Sequence, residues 1–259
     1  MSKKKLIVKK LDETNLCDVM SLQEKIISGL NPDEQHFILH RTEEDYMKSL
    51  SGGSSNMLGV FDKDKLVAQI VYGLPKNGEQ RDMPEFKSEI ANDELVIYEA
   101  ILVDPDYRGS SLMQRMLEYI ETNAIDEGRK HSIIQIAVDN PASWINALHH
   151  GMSITKVDLD PTDGVKVIYL EKDITPKTIT LPFVRDEQQT YSMFLGNDIH
   201  KKIPTLFNKM QYLVENGYQG IYLDKSTKSL VWQKDSSTKE DLMSFNFMLQ
   251  KKFGEGLGL

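Results

Sequence analysis

The segment Leu95 to Val103 constrains the fold more than any other, being apolar throughout its length but for Glu99 and stopping abruptly at Asp104-Pro105. From Ser110 to Glu127 the pattern changes period, with Leu112, Met116, Ile120 and Ala124 on one helical face and Gly128 closing the run. A buried strand that passes through a tight turn into a long amphipathic helix is the expected local structure. The apolar stretch is far too short to cross a membrane.

Flanking segments repeat the alternation. Leu6 to Leu11 has strand composition, and Asp12 to Leu30 carries Leu16, Val19, Met20, Leu22, Ile26 and Ile27 at helical spacing. A second helix is expected from Thr42, where Asp45 completes a capping box, to Ser51-Gly52-Gly53. Met57 to Phe61 and Leu66 to Leu74 read as an antiparallel hairpin turning at Asp62-Lys63-Asp64, and Pro75 to Asp93 as a long polar loop. His131 to Val138 is a further strand, Asn140-Pro141 starts a helix that Gly151 ends, and Ile154 to Val157 and Val165 to Leu170 are strands about a turn at Asp160 to Gly164. These elements predict a mixed α/β sheet.

Past Asp173 the pattern breaks, and Ile174 to Gln189 is irregular. A helix with Leu206, Met210, Leu213 and Val214 follows, then strands at Gln219 to Leu223 and Leu230 to Gln233, then a last helix with Leu242, Phe245, Leu249 and Phe253 before a frayed tail from Gly254 to Leu259. The expectation is a first domain over residues 1–173 and a C-terminal α-β-β-α accessory domain over 174–259 that packs on the first. Trp232, Tyr218 and Phe245 are expected in its core.

Composition narrows the function classes. A net charge of -8 argues against broad nucleic-acid binding and suits a cationic or amine substrate. The one cysteine, Cys17, excludes an internal disulfide and a cysteine cluster for zinc. Lys3, Lys4 and Lys5 precede an apolar run, Leu6 to Val8, too short for a signal peptide, so no export, no membrane association and a cytoplasmic location are expected. His36 and His40 stand four apart with no acidic partner motif, and no metal is expected. His149 and His150 fall at a helix C-terminus, where surface positions compatible with the dipole are expected.

Chemistry concentrates at Val103-Asp104-Pro105-Asp106-Tyr107-Arg108-Gly109. The first-turn N–H groups of a helix lack internal partners and carry partial positive charge, so Arg108 to Met113 suit a phosphate or pyrophosphate. A plain strand-helix turn explains the same spacing equally well. Glu99 places a carboxylate on the strand entering this turn, on the same face as Ile101 and Val103 if alternation is strict. A partly solvated strand residue is the alternative for it.

The segment Val103 to Gly109 resembles, residue for residue, the first half of the V-x-P-x-Y-R-G-x-G-x-G/A signature of the GNAT acetyltransferase superfamily. Asn140-Pro141-Ala142-Ser143-Trp144 with Gly151-Met152 is similar to that family's downstream N-x-x-A/S and G-F pair. The resemblance extends in element order over about Leu6 to Asp173. It implies a mixed, mostly antiparallel sheet with flanking helices, acetyl-CoA as cosubstrate without a metal, and an unidentified amine as acceptor. It further implies that the backbone of Arg108, Gly109, Ser110, Ser111, Leu112 and Met113 binds the coenzyme A pyrophosphate, that Leu102 and Val103 contact the acyl carbonyl, and that Asn140, which would also serve as a plain helix N-cap, contacts the pantetheine arm. Polyamine acetyltransferases and some others in the family carry a glutamate at the place of Glu99, where it helps deprotonate the amine. The sequence departs from the pattern at Ser111 and Met113, where glycine or alanine is common, and at Ala147, where a tyrosine often protonates the departing thiolate. These departures leave a second reading open, an acyl-CoA-binding or regulatory module without turnover.

Overall fold

A computed structural model describes residues 6–81, 83, 86, 89–175, 190–195 and 203–234. The chain forms two compact units, residues 1–134 with 173–176 and residues 135–172 with 177–259. No described helix is long and apolar enough to cross a membrane.

In the first unit the order is β1 (Leu6–Lys10), α1 (Leu16–Ser28), α2 (Glu43–Leu50), β2 (Ser55–Asp62), β3 (Lys65–Gly73), β4 (Leu95–Val103) and α3 (Leu112–Asp126), ending in β5 (His131–Ala137), which continues into the second unit. Strands β1 to β4 pair antiparallel in sequence order. β4 and β5 pair parallel, from Leu95↔His131 to Tyr98↔Ile134. The turn between β2 and β3 is tight enough to put Lys63 at φ 56°.

Local signals set these boundaries. Thr42 caps α2 with the expected capping box, its side chain accepting from the Asp45 N–H while Asp45 accepts from the Thr42 N–H. Helix α3 begins two residues later than expected, at Leu112, because Gly109 (φ 76°) and Ser111 (φ 53°) both take left-handed backbone. Leu22 and Ile26 of α1, Tyr46 and Leu50 of α2, Val71 of β3 and Leu102 of β4 share one buried cluster. Each such aliphatic side chain contributes about 1.5–3 kcal/mol relative to exposure. Against β4, α3 is fixed by a buried polar node: Tyr98 Oη and Ser132 Oγ both donate to Glu121 Oε1, at 3.2 and 3.1 Å. Burial, reinforced by that carboxylate, pushes the Tyr98 phenol well above its ordinary value, so it stays a donor.

The second unit contains the end of β5, α4 (Pro141–His149), β6 (Ser153–Leu159), β7 (Lys166–Asp173), β8 (Thr190–Phe194), α5 (Ile203–Glu215), β9 (Tyr218–Asp224) and β10 (Ser229–Lys234). Its strand order is β7-β6-β9-β10-β8. β9 reaches β6 at Ile154↔Gly220, where a Cβ on Gly220 would lie 3.2 Å from Ile154 and 3.4 Å from Trp232, an approach that glycine permits. Residues beyond 173 thus pack on an earlier strand of the same unit, and Tyr218 and Trp232 are buried there. The expected final helix with Leu242, Phe245, Leu249 and Phe253, and the tail from Gly254, lie outside the described residues. β8 was not expected. Its five residues alternate, with Tyr191 and Met193 inward, but Thr190 and Ser192 make the segment read as polar.

Candidate active site

The β3–β4 ladder carries an irregularity with consequences for Glu99. Val71 pairs with Ala100 and Tyr72 with Tyr98, so Glu99 is an extra residue with no partner in the register. The bulge reverses the side-chain phase of β4. Tyr98 points toward α3, where it meets Glu121, while Ala100, only two residues on, packs against the cluster under α1 and α2. Glu99 lies on that second side, because its Oε1 would be 3.3 Å from a Cβ on Gly73, the partner of Ile97. The alternation-based expectation that Glu99 shares a face with Ile101 and Val103 is therefore corrected: those residues pair with Ile70 and Ala68 and face the other way. A period-2 count fails across a bulge because one residue adds half a period.

On this side the Glu99 carboxylate meets Arg41. Arg41 Nη2 donates to Glu99 Oε2 at 2.5 Å, with the two side chains only 12% and 11% exposed. Arg41 is itself held through its backbone. The Gln23 side-chain amide accepts from the Arg41 N–H at 3.0 Å and donates to the Arg41 carbonyl at 2.9 Å. Tyr46 Oη donates to the same Gln23 oxygen at 2.7 Å and accepts from Gln69 Nε2 at 3.0 Å. Burial pushes the Tyr46 phenol up to about 12, which keeps the donating proton in place. A shallow depression lined by Met20, Ser21, Gln23, Glu24 and His40 opens beside this network. Arg41, Gln23 and Gly73 escaped sequence reasoning, since nothing local marks a contact across 58 positions of chain.

The strand-to-helix turn is anchored from below. Asp104, fully buried, accepts from Lys25 Nζ at 2.7 Å, from Lys65 Nζ at 2.8 Å and from the Asp106 N–H at 3.1 Å. Burial alone would raise its carboxyl, but the hydrogen bonds from Lys25 and Lys65 prevail and hold it at about 2. Tyr107 Oη donates to Asp62 Oδ2 at 2.6 Å. Above this foundation Arg108, Gly109, Ser110 and Ser111 are exposed. Ser111 makes no side-chain cap to α3, so its hydroxyl does not satisfy the N–H groups of the first helical turn. Met113, in contrast, is buried with Leu112, and its side chain is turned into the core. Glu99, Leu102, Val103 and Arg108 to Met113 therefore belong to one strand-turn-helix of the first unit.

Residues 23–152, half of the chain, match the sequence profile of the acetyltransferase (GNAT) family. The chain belongs to the GNAT acetyltransferase family. The solved structure of the ribosomal-protein-S18-alanine N-acetyltransferase from Escherichia coli is similar in fold, with a TM-score of 0.50 and 15% identity over 69% of this chain and 100% of that one. An N-acetyltransferase from Staphylococcus aureus Mu50 has a TM-score of 0.51 at 11% identity, over 66% of this chain and 98% of that one. A search of curated protein sequences finds no match.

The remaining GNAT motif residues lie in the second unit. Asn140 is the N-cap of α4, its Oδ1 accepting from the Ser143 N–H at 3.2 Å, and Pro141 takes the first helical position. Trp144 is buried below it and donates from Nε1 to the Val138 carbonyl at 3.1 Å. Ala147, at the place where GNAT enzymes often carry tyrosine, is fully buried. His149 is exposed, as expected for the helix end, and slight burial and the nearby Lys225 lower its affinity for a proton. The expectation for His150 is corrected. It is buried, with Nε2 at 3.1 Å from Lys172 Nζ, because the chain reverses at Gly151 and brings β7 across it.

Proposed function

We propose that this GNAT domain transfers an acetyl group from acetyl-CoA to a primary amine by direct attack, with Glu99 as general base. The observation that carries the reading is a carboxylate held in place on the strand that leads directly into an open, exposed helix N-terminus. The backbone of Arg108 to Met113 receives the diphosphate, Leu102 and Val103 provide backbone contact to the acyl carbonyl, and Asn140 contacts the pantetheine arm, the last two by family resemblance. An alkylammonium with a pKa near about 10.4 arrives protonated, and Glu99 takes its proton directly or through a water. The amine nitrogen then bonds to the thioester carbon to give an N-protonated oxyanion, which loses its second ammonium proton to water and collapses as the C–S bond breaks to release coenzyme A thiolate. With Ala147 unable to donate, the thiolate is protonated by water or by the proton that Glu99 has taken. Neither a metal nor a covalent enzyme intermediate enters these steps.

The test is coenzyme A release from acetyl-CoA across a panel of primary amines. Glu99→Gln is expected to lower turnover by about 10² to 10⁴ while calorimetry shows unchanged coenzyme A affinity. Full activity in Glu99→Gln, with an amine that the wild type acetylates, would reduce Glu99 to a strand residue. Ala147 favours a second reading, a domain that binds acyl-CoA without turnover, and tight binding with no acetylated amine across the panel would decide for it.

A further inference from the structure

We infer that Arg41 is the positioning residue of Glu99, and that Gln23, Tyr46 and Gln69 form a buried support whose role is to hold the Arg41 backbone. The inference rests on the proposed role of Glu99 as base. Its observation is the unbroken sequence of contacts: Gln69 to Tyr46 at 3.0 Å, Tyr46 to Gln23 at 2.7 Å, Gln23 to both backbone groups of Arg41 at 3.0 and 2.9 Å, and Arg41 to Glu99 at 2.5 Å.

Gln23, Tyr46 and Gln69 are all nearly inaccessible, and burying three polar side chains is costly unless their hydrogen bonds are made. An aliphatic core at these three positions would fill the space without that cost. What the polar groups add is direction. A primary amide that bonds both the N–H and the C=O of one residue fixes that peptide as a neighbouring strand would, and Arg41 gains this restraint in a segment outside any helix or strand. The next residue, Thr42, is the N-cap of α2, which restrains the same stretch from its other side.

The restrained backbone brings Arg41 Nη2 to Glu99 Oε2, a charge-assisted hydrogen bond that fixes the position of that oxygen. Glu99 stands at the bulge, outside the paired register of β3 and β4, and Arg41 is the partner that meets its Oε2. Gly73 provides the space on the opposite side of the carboxylate. A base that must meet an ammonium at hydrogen-bonding distance loses rate steeply when displaced, by as much as about 10²-fold for 1 Å.

A double-mutant cycle tests the inference, using the full chain, acetyl-CoA and whichever amine of the panel is turned over. Arg41→Met is expected to lower kcat by about 10-fold to 10²-fold and to leave the KM for acetyl-CoA within about twofold. In a Glu99→Gln background the same change is expected to cost nothing further, because the group it positions is gone. Arg41→Lys, which keeps a charged donor but not the planar guanidinium, should recover part of the loss. Gln23→Met leaves the guanidinium but removes the backbone clamp and the acceptor of the Tyr46 hydroxyl, so a smaller fall in kcat is expected, again absent in the Glu99→Gln background. Thermal midpoints and coenzyme A affinity, measured on every variant, separate misfolding from misplacement, and Arg41→Lys and Gln23→Met carry the test if Arg41→Met unfolds. Wild-type kcat in Arg41→Met, or losses that simply add to that of Glu99→Gln, would overturn the positioning role alone. Full turnover in Glu99→Gln would overturn both the base assignment and this inference.

Discussion

Gly73 and Glu99 are neighbours across the β3–β4 ladder, and a methyl group on Gly73 would stand 3.3 Å from Oε1 of the carboxylate. Its other contacts would be ordinary, 3.5 Å to Ile97 and 3.8 Å to the Ser54 carbonyl. Glu99 is held by Arg41 on its other oxygen, so it cannot simply swing away. Gly73→Ala should leave stability within about 1 kcal/mol, since the smaller entropy of the unfolded chain offsets mild crowding. Turnover should fall about 10-fold or more through displacement of the carboxylate. Denaturant titration beside steady-state kinetics reads both, and unchanged kcat would show that the carboxylate tolerates the push.

The second prediction concerns acid. Asp104 sits at about 2 in the folded chain against an ordinary value of 3.8. A carboxyl lowered on folding stabilises above its unfolded value and loses that contribution as pH falls through the folded one. The window is therefore about pH 4 down to about pH 2. Because Lys25 and Lys65 are about half exposed, the contribution is discounted to about 1–2 kcal/mol. Asp104→Asn should lose this amount at neutral pH and show a flatter acid limb in urea-melt stability measured from pH 5 to 2. An acid limb identical to the wild type would remove Asp104 from the account.

The third prediction uses the backbone before α3. Ser111 has φ 53° and ψ 33°, a left-handed conformation in which glycine is at ease. Glycine inside a helix ordinarily costs about 1 kcal/mol, but Ser111→Gly should be neutral or stabilising by about as much, and coenzyme A should bind more tightly as the side chain vanishes from the phosphate approach. Ser111→Val should lose about 1–3 kcal/mol, because a branched side chain is poorly accommodated there. Equal losses in both variants would mean that the loop re-forms on substitution.

The fold was legible where signals are local. The capping box at Thr42, the Asn140-Pro141 helix start and the apolar strand from Leu95 to Val103 each depend on residues within a few positions of one another, and each falls where it was read. β8 was missed because only two of its five side chains are buried. The candidate site was readable as a list of residues along one strand, turn and helix, but not as an arrangement. The face of Glu99 depends on a register shift in a ladder, its partner Arg41 comes from another part of the chain, and His150 is covered by a strand that begins well beyond it. Such relations arise from tertiary packing, which periodicity does not encode.

The extra residue in β4 also makes the site and the core separable in a particular way. Tyr98 opposite Tyr72 and Ala100 opposite Val71 are consecutive rungs of the ladder, so removing Glu99 would join them into a regular strand in which Tyr98 still faces α3 and Ala100 and Leu102 still face the cluster beneath α1 and α2. Deleting Glu99 would take the carboxylate from Arg41 while the other side chains of β4 keep their sides. The register of the core therefore does not depend on the residue that carries the carboxylate.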